Sequence, residues 1–273
     1  ISNVLTPSSV VGVNNMVATT QDSEDKSVDT TSTMSTDQIA AGALTSASFA
    51  TATDTPGFES VATVSFTTAG RVEVGGKVVL VMPDESSGAQ HGWRFTDGAS
   101  TSTETSGTSN TPAILFTTPS SSTPTGTAVV YTLSTRTLVF TVGANDLAQG
   151  AAHVLTISNV LTPSSIVGVN NVIATTRDSE DKSVDTTSAM STDQITAGAL
   201  TSASFATATD TPGFESAATV SFTTAGRVEV GGKVVLVMPD ESSGAQHGWR
   251  FTDGASTSTE TSGTSNTPAI LFT

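Results

Sequence analysis

The most regular feature of the chain is an alternation of apolar and polar residues with a period of two. It is clearest over Ala62–Thr67, where Ala, Val and Phe alternate with Thr and Ser. Such alternation is typical of a β-strand with one buried face. A second segment, Val78–Met82, is apolar throughout and stops at Pro83, which predicts a central strand covered on both faces. No segment shows a sustained helical period, so we expect an all-β protein.

Shorter segments rich in β-branched and aromatic residues predict the remaining strands. Two of them are joined by Ser134, Thr135 and Arg136, which predicts a hairpin. Roughly seven to nine short strands in each 156-residue unit of the sequence, with Gly, Pro and Asp turns between them, indicate an antiparallel β-sandwich. The further predicted strands are Ser46–Thr51, Ala113–Phe116, Ala128–Leu133, Thr137–Val142, Val154–Val160 and Val172–Thr176.

The sequence also repeats itself. Residues 1–117 match residues 157–273 without a gap at an offset of 156, and seven of these 117 positions differ. This period is far longer than that of solenoid repeats, so we expect tandem, self-contained β-sandwich modules. The differing positions are Val10/Ile166, Met16/Val172, Val17/Ile173, Gln21/Arg177, Thr33/Ala189, Ala40/Thr196 and Val61/Ala217.

Module boundaries are predicted where the polar sequence MSTDQ gives way to AGALTSASF. With these boundaries, the chain holds the C-terminal part of one module (1–40), a complete module (41–196) and the N-terminal part of a third (197–273). The chain then begins partway through the strand whose internal copy is Val154–Val160. We therefore expect an intermolecular contact near the N-terminus, with Ile1, Val4 and Leu5 as candidates.

Composition narrows the classes of function. The 25 acidic and 10 basic residues give a formal net charge of −15, and the basic residues form no run, which argues against a nucleic-acid partner. No apolar run is long enough to span a bilayer, and there is no cysteine for a disulfide. An acidic chain rich in Ser and Thr is typical of extracellular or cell-surface material. The Ser/Thr tracts 99–112 and 117–127 are predicted loops and candidates for O-linked glycosylation.

Two copies of an acidic cluster are candidates for calcium ligands, because Ca²⁺ prefers six to eight oxygen donors. The clusters lack the EF-hand spacing and its glycine, so a solvated acidic loop is the competing interpretation. No other cofactor is predicted. The candidate ligands are Asp22, Glu24, Asp25 and Asp29, and their copies Asp178, Glu180, Asp181 and Asp185.

Trp93 and its copy Trp249 are candidates for stacking on a glycan, with anchoring in the core as the competing interpretation. The segment Asp84–Arg94 brings carboxylates, Ser and His close in sequence, but it has no GxSxG nucleophile motif. Because no catalytic constellation is evident, we predict that the protein is not an enzyme.

Five segments follow one another in a fixed order: TVSFTTAG (Thr63–Gly70), GGKVVLVMP (Gly75–Pro83), TLVFTV (Thr137–Val142), LTISNVLTP (Leu155–Pro163) and IATTRDSEDKSVDT (Ile173–Thr186). In this order the chain resembles the tandem immunoglobulin-like β-sandwich modules of long microbial cell-surface and fibril proteins. The resemblance implies immunoglobulin-like modules and an adhesin-like or fibril-forming structural protein without enzymatic activity.

We therefore expect a structural subunit or segment of an extracellular filament or surface assembly. Its main predicted partner is itself, in a helical or head-to-tail homopolymer, and strand addition between chains is a predicted way of joining. The alternative is an adhesin-type module that binds glycans or a host surface. A polysaccharide-degrading enzyme is a third hypothesis, for which no convergent acid pair is visible.

Overall fold

The chain is all-β. The computed structural model describes residues 2, 4–83, 92–95, 109–110, 114–116, 128–143, 145–169, 171–239, 248–249 and 251. These residues belong to two compact units, 1–229 and 230–273. The described part contains sixteen strands, a 3-10 turn at Leu133–Thr135 and no α-helix, which confirms the predicted class. None of its helical segments is long and apolar enough to cross a membrane.

The strands are short and are separated by turns and loops. In chain order they are β1 (Asn15–Gln21), β2 (Ser27–Ser35), β3 (Gly42–Ala43), β4 (Thr45–Thr51), β5 (Glu59–Thr67), β6 (Lys77–Val81), β7 (Arg94–Phe95), β8 (Ser109–Asn110), β9 (Ile114–Phe116), β10 (Ala128–Thr132), β11 (Thr137–Thr141), β12 (Ala152–Leu161), β13 (Asn171–Arg177), β14 (Ser183–Ser191), β15 (Thr201–Thr207) and β16 (Ala218–Thr223).

Strands β3 to β14 form two sheets, which we call the central body (residues 42–195). The larger sheet has the order β3-β14-β13-β6-β11-β10-β8, and the smaller has the order β4-β5-β12-β7, with β9 also paired to β12. Strand β3 runs parallel to β14, and the other neighbours in these sheets are antiparallel. The central body is thus built mainly from antiparallel strand pairs.

The predicted central strand occupies the middle of the larger sheet. β6 pairs with β13 on one side and with β11 on the other. Its Val78, Val79 and Leu80 are all buried, which confirms that an apolar run here marks a strand covered on both faces.

The two sheets of the central body pack through their inward side chains. Alternation along β5 buries Ala62, Val64 and Phe66, as the period of two predicts. Between the sheets, the ring centroids of Phe95 in β7 and Tyr131 in β10 lie 4.8 Å apart. The central body is therefore sandwich-like, with one contiguous apolar core.

The β13–β14 hairpin is tied to the smaller sheet by a buried carboxylate. Asp185 is fully buried, and it accepts hydrogen bonds from the Gly70 N–H at 2.9 Å and from the Thr176 hydroxyl at 3.0 Å. A Cβ at Gly70 would lie 2.7 Å from Val184 Cγ1, so a larger residue would force the two elements apart. Glycine at this position therefore allows the hairpin to close on the loop after β5.

The central body has two opposite ends, which are separated by the length of β5. At about 3.3 Å per residue, a strand of this length spans roughly 30 Å. The hairpin end comprises Gly70–Gly76 and the β13–β14 turn. The loop end comprises the loop Thr55–Phe58, Arg94 and Pro163, and here the Gly57 N–H donates to the Pro163 carbonyl at 2.8 Å.

The chain enters the central body at one end and leaves it at the other. It enters at the hairpin end, where Gly42 and Ala43 pair with Asp185 and Thr186. It leaves at the loop end, where the Thr196 N–H donates to the Asp54 carbonyl at 2.9 Å.

The hairpin β1–β2 repeats β13–β14 in register but not in burial. Asn15 faces Ser35 as Asn171 faces Ser191, and the register shifts recur at equivalent positions. Every residue of β1 is exposed, whereas alternate residues of β13 are buried. Local sequence therefore sets the hairpin, while burial requires the rest of the sheet.

The hairpin β15–β16 behaves in the same way. It repeats the register of β4–β5, yet Val220 is 37% exposed where its copy Val64 is fully buried. In the unit 230–273, described over residues 230–239, 248–249 and 251, no strand forms. Val234, Val235 and Leu236, the copies of the buried β6 residues Val78, Val79 and Leu80, are exposed there.

Most of the predicted strands and the β10–β11 hairpin are confirmed within one or two residues at their ends. β2 and β14 were not predicted, because their Ser, Thr and Asp residues hide the alternation. The loop prediction for residues 99–112 is corrected at Ser109–Asn110, which extends the larger sheet as β8 by pairing with β10. Most of both Ser/Thr tracts, and Ala113, lie outside the described residues. The module boundaries stay predictions.

Asp185 and its exposed copy Asp29 form a matched pair for a stability test. We expect Asp185→Ala to lower the free energy of unfolding by about 3 kcal/mol, because buried donors of Gly70 and Thr176 lose their acceptor. Asp29→Ala should cost less than about 0.5 kcal/mol. Urea unfolding followed by tryptophan fluorescence measures both, and equal costs would contradict this role of Asp185.

His153 gives the central body a predicted acid sensitivity. Its side chain is buried in β12, and burial lowers its pKa, with the Ala148 carbonyl partly opposing this. The unfolded chain therefore binds a proton more readily, so stability present above about pH 6.5 declines as the pH falls below it. We expect His153→Leu to reduce this decline between pH 7 and pH 5 in urea titrations. An unchanged slope would contradict it.

Candidate functional site

Both predicted calcium clusters lie at the turn of a hairpin, where one carboxylate of each organises the backbone. Asp178 Oδ1 accepts the N–H groups of Glu180 and Lys182, each at 2.9 Å. Its copy Asp22 makes the same two bonds in the β1–β2 turn. These oxygens thus stabilise the turn itself.

The other predicted ligands do not converge on a common point. Asp25 and Asp181 have left-handed backbone angles, and Asp181 pairs with the Lys77 ammonium at 2.6 Å. Asp29 and Asp185 lie within strands and bond to threonine hydroxyls. Among the described residues, no group of three or more His, Asp or Glu side chains is placed to hold a metal. Calcium binding stays a prediction.

Trp93 is buried in the central body. Its ring packs edge-on against Phe49, with the ring centroids 5.2 Å apart. Its backbone carbonyl accepts a hydrogen bond from the Tyr131 hydroxyl at 3.0 Å. This is the core-anchoring arrangement, and it leaves no ring face of Trp93 for a sugar. Trp249 is 52% exposed.

The predicted N-terminal contact residues are accessible where the structure describes them. Val4 and Leu5 are 70% and 72% exposed, and Ile1 lies outside the described residues. The segment Asp84–His91, considered above for hydrolase chemistry, also lies outside them.

The best-defined binding geometry is the place where a hairpin docks on the loop after β5. We call Gly42, Ala69 and Gly70 the hairpin-docking site. A Cβ at Gly42 would overlap the Asp185 carboxylate and lie 2.6 Å from Ala69 Cβ. Three small residues therefore make room for the strand that carries Asp185.

The same three residues recur in the sequence repeat as Gly198, Ala225 and Gly226. We call them the second hairpin-docking site because they correspond to the first, although a different segment lies against them. A Cβ at Gly198 would lie 2.7 Å from Thr55 Cγ2, and one at Gly226 would overlap the Pro56 carbonyl oxygen. The loop Thr55–Gly57 of the central body thus lies where Asp185 lies in the first site.

An ion cluster flanks this loop contact. The Arg227 N–H donates to the Gly57 carbonyl at 3.0 Å, and the Glu229 carboxylate pairs with Arg94 at 3.0 Å and with Arg227. Partial burial raises the pKa of Glu229, but the guanidinium groups of Arg227 and Arg94 outweigh it and hold the pKa below its usual value.

The copy of this cluster in the central body is arranged differently. Arg71 pairs with Asp146 at 2.5 Å, and its distance to Glu73 is 3.9 Å. The side chain of Glu73 is 52% exposed, against 18% for Glu229. Identical local sequences therefore acquire different partners because their surroundings differ.

At the opposite end, residues from the N-terminal segment lie on the β13–β14 hairpin. The Val10 N–H donates to the Ser183 carbonyl at 3.2 Å. Ser9 is buried, and its side chain lies close enough to Asp178 to lower the pKa of that carboxyl. Partial burial raises the pKa of Asp178, but the Ser9 side chain, the turn N–H groups and the Lys182 charge outweigh burial, so the net shift of the pKa is downward.

Sequence reasoning missed the residues that make these contacts. The usable signal was the recurrence of small residues, Gly42, Ala69 and Gly70, beside strands. Nothing in the sequence marked the pairing of Arg94 with Glu229, which are 135 residues apart.

No family model, no curated protein and no solved structure matches this chain. The site must therefore be interpreted from its own geometry. Its components are small residues, backbone N–H groups and partly buried charges, which suit the docking of a polypeptide segment.

Glu229 and Glu73 provide a matched test of the loop contact. We expect Glu229→Gln to weaken docking of residues 218–229 by about 1 kcal/mol, because the carboxylate has two guanidinium partners. Glu73→Gln should change little. Amide hydrogen exchange of β16 measures the effect. Because folding lowers the pKa of Glu229, the stabilisation by its carboxylate should be fully present above the pKa that Glu229 has in the unfolded chain. This stabilisation should vanish as the pH falls through the pKa that Glu229 has in the folded protein. Equal effects of the two variants would refute the contact.

Proposed function

We propose that the protein is a structural subunit or segment of an extracellular filament or surface assembly built from near-identical, immunoglobulin-like β-sandwich modules. The observation that carries this proposal is the path of the chain through the central body, which it enters at the hairpin end and leaves at the loop end. Repetition of such a unit extends an array in one direction.

Contacts at both ends of the central body support the same function. Ser9 and Val10 precede it in the chain and lie on the hairpin end, while Arg227 and Glu229 follow it and lie on the loop end. A contact between unlike ends repeats head to tail, and when its rotation does not close into a ring it produces a linear or helical assembly.

Exposed apolar faces favour joining of chains by strand addition. The hairpin β1–β2 exposes Met16, Val28 and Met34, while their copies in the central body, Val172, Val184 and Met190, are all buried. Burial of such faces against another chain would lower the free energy of the assembly. The exposed Val4 and Leu5 precede this hairpin, which begins at Asn15.

A second candidate function is an adhesin-type module that binds glycans. Exposed Trp249 favours it, because an accessible indole ring can stack on a sugar. Glycan-array binding that is lost in Trp249→Ala and retained in Trp93→Phe would support this candidate over a purely structural role.

The charge of the chain yields a test of assembly. Units that carry a net charge of −15 per chain repel one another, and salt screens this repulsion over about 8 Å at physiological strength. We expect negative-stain images to show longer assemblies as sodium chloride or a divalent cation is added. Particles that stay monomeric under all conditions would contradict the proposed function, and dissociation with rising salt would contradict the charge argument.

A further inference from the structure

The two hairpin-docking sites of this chain hold different segments. In the central body, Gly42, Ala69 and Gly70 receive the strand that carries Asp185. In the second site, Gly198, Ala225 and Gly226 receive the loop Thr55–Gly57 instead. Because the sites have identical sequences, the first shows which kind of segment the second is built to bind.

The hairpin of the central body fits its site through several specific interactions. Asp185 accepts the Gly70 N–H and the Thr176 hydroxyl, and Val184 contacts Gly70. Backbone pairing adds to this, since Asp185 and Thr186 run parallel to Gly42 and Ala43.

The loop Thr55–Gly57 reproduces only part of this set. It offers the Gly57 carbonyl to the Arg227 N–H and places a methyl group and a carbonyl oxygen against the two glycines. It contributes no carboxylate at the position of Asp185. A segment that carries the missing carboxylate can therefore bind this site more tightly than the loop does.

The chain itself holds one such segment with its binding face exposed. The hairpin β1–β2 has the register of β13–β14, and Asp29 occupies the position of Asp185, bonded to Thr20 as Asp185 is to Thr176. Val28 is 63% exposed, whereas its copy Val184 is buried.

We propose that the second hairpin-docking site, Gly198, Ala225 and Gly226, is an interaction surface for the β1–β2 hairpin of a second copy of this chain, which displaces the loop Thr55–Gly57. Asp29 accepts the Gly226 N–H, Val28 packs on Gly226, and Asp29 and Thr30 run parallel to Gly198 and Ala199. This inference rests on the proposed function and names the elements that join one chain to the next.

The absence of native cysteine permits a direct cross-linking test. Chains with Thr30→Cys are mixed with longer, tagged chains with Ala199→Cys and oxidised. These positions correspond to the backbone partners Thr186 and Ala43, and all four are exposed. Neighbouring strands lie about 4.8 Å apart, which is within the Cα range of a disulfide.

Three controls give the result its meaning. Thr31→Cys mixed with Ala199→Cys shifts the register by one residue and turns the side chain to the other face. Ala43→Cys combined with Thr186→Cys in one chain should form an intramolecular disulfide and shows that the geometry permits the bond. Asp29→Ala in the Thr30→Cys chain removes the carboxylate, while the central body remains unchanged.

We expect the matched pair to yield about tenfold more mixed dimer than the shifted pair, and we expect Asp29→Ala to remove most of this excess. Both results should be the same in EDTA, which excludes metal binding by Asp29 as the cause. Equal yields from the matched and shifted pairs, or a yield insensitive to Asp29→Ala, would overturn the inference. If micrographs show filaments while the matched pair gives no excess, this pairing is wrong and the proposed function stands. If no assembly and no cross-link form, both fail.

Discussion

The fit of one hairpin against the loop after β5 is the interaction on which the central body depends. It requires Asp185 as a buried acceptor, Gly70 as a donor with no side chain, and Gly42 beside it. A buried carboxylate is costly unless hydrogen bonds satisfy it, so this contact is specific as well as stabilising. The hairpin also supplies β13, which covers one edge of the apolar strand β6.

The repeated sequence separates local from tertiary causes of structure. Hairpin registers and left-handed turn residues recur in both copies, at Asp25 and Asp181 and at Ser46 and Ser202, whatever their surroundings. Burial does not recur, because Val184 is covered and Val28 is not. Hydrogen-bonded turns are thus fixed by nearby residues, whereas the apolar faces depend on neighbours that are distant in sequence.

The same distinction explains how far the sequence could predict the molecule. Alternation in β5 and the apolar run of β6 identified strands, a sandwich-like core and the central position of β6, because burial leaves a periodic signal. The Ser- and Thr-rich β14 left no such signal. Contacts such as Arg94 with Glu229 join residues that only folding brings together, so neither pattern nor spacing could reveal them.

Nearly identical segments are exposed in one copy and buried in the other, and the proposed assembly would bury the exposed copies as well. The described residues around the docking sites bind by shape, backbone hydrogen bonds and a few charges, and these features suit a repeated protein–protein contact. In the proposed assembly, growth in one direction would follow from the chain path through the central body. The net charge of −15 would then make the strength of the proposed association depend on screening by salt.

Hydrogen exchange with mass spectrometry tests the central claim most directly, because Met16/Val172 and Gln21/Arg177 distinguish the peptides of the two hairpins by mass. The account predicts that β13–β14 amides are strongly protected in dilute solution, that β1–β2 amides exchange rapidly there, and that β1–β2 gains protection as the protein assembles. Equal protection of the two hairpins in dilute solution, or no gain in β1–β2 on assembly, would contradict it.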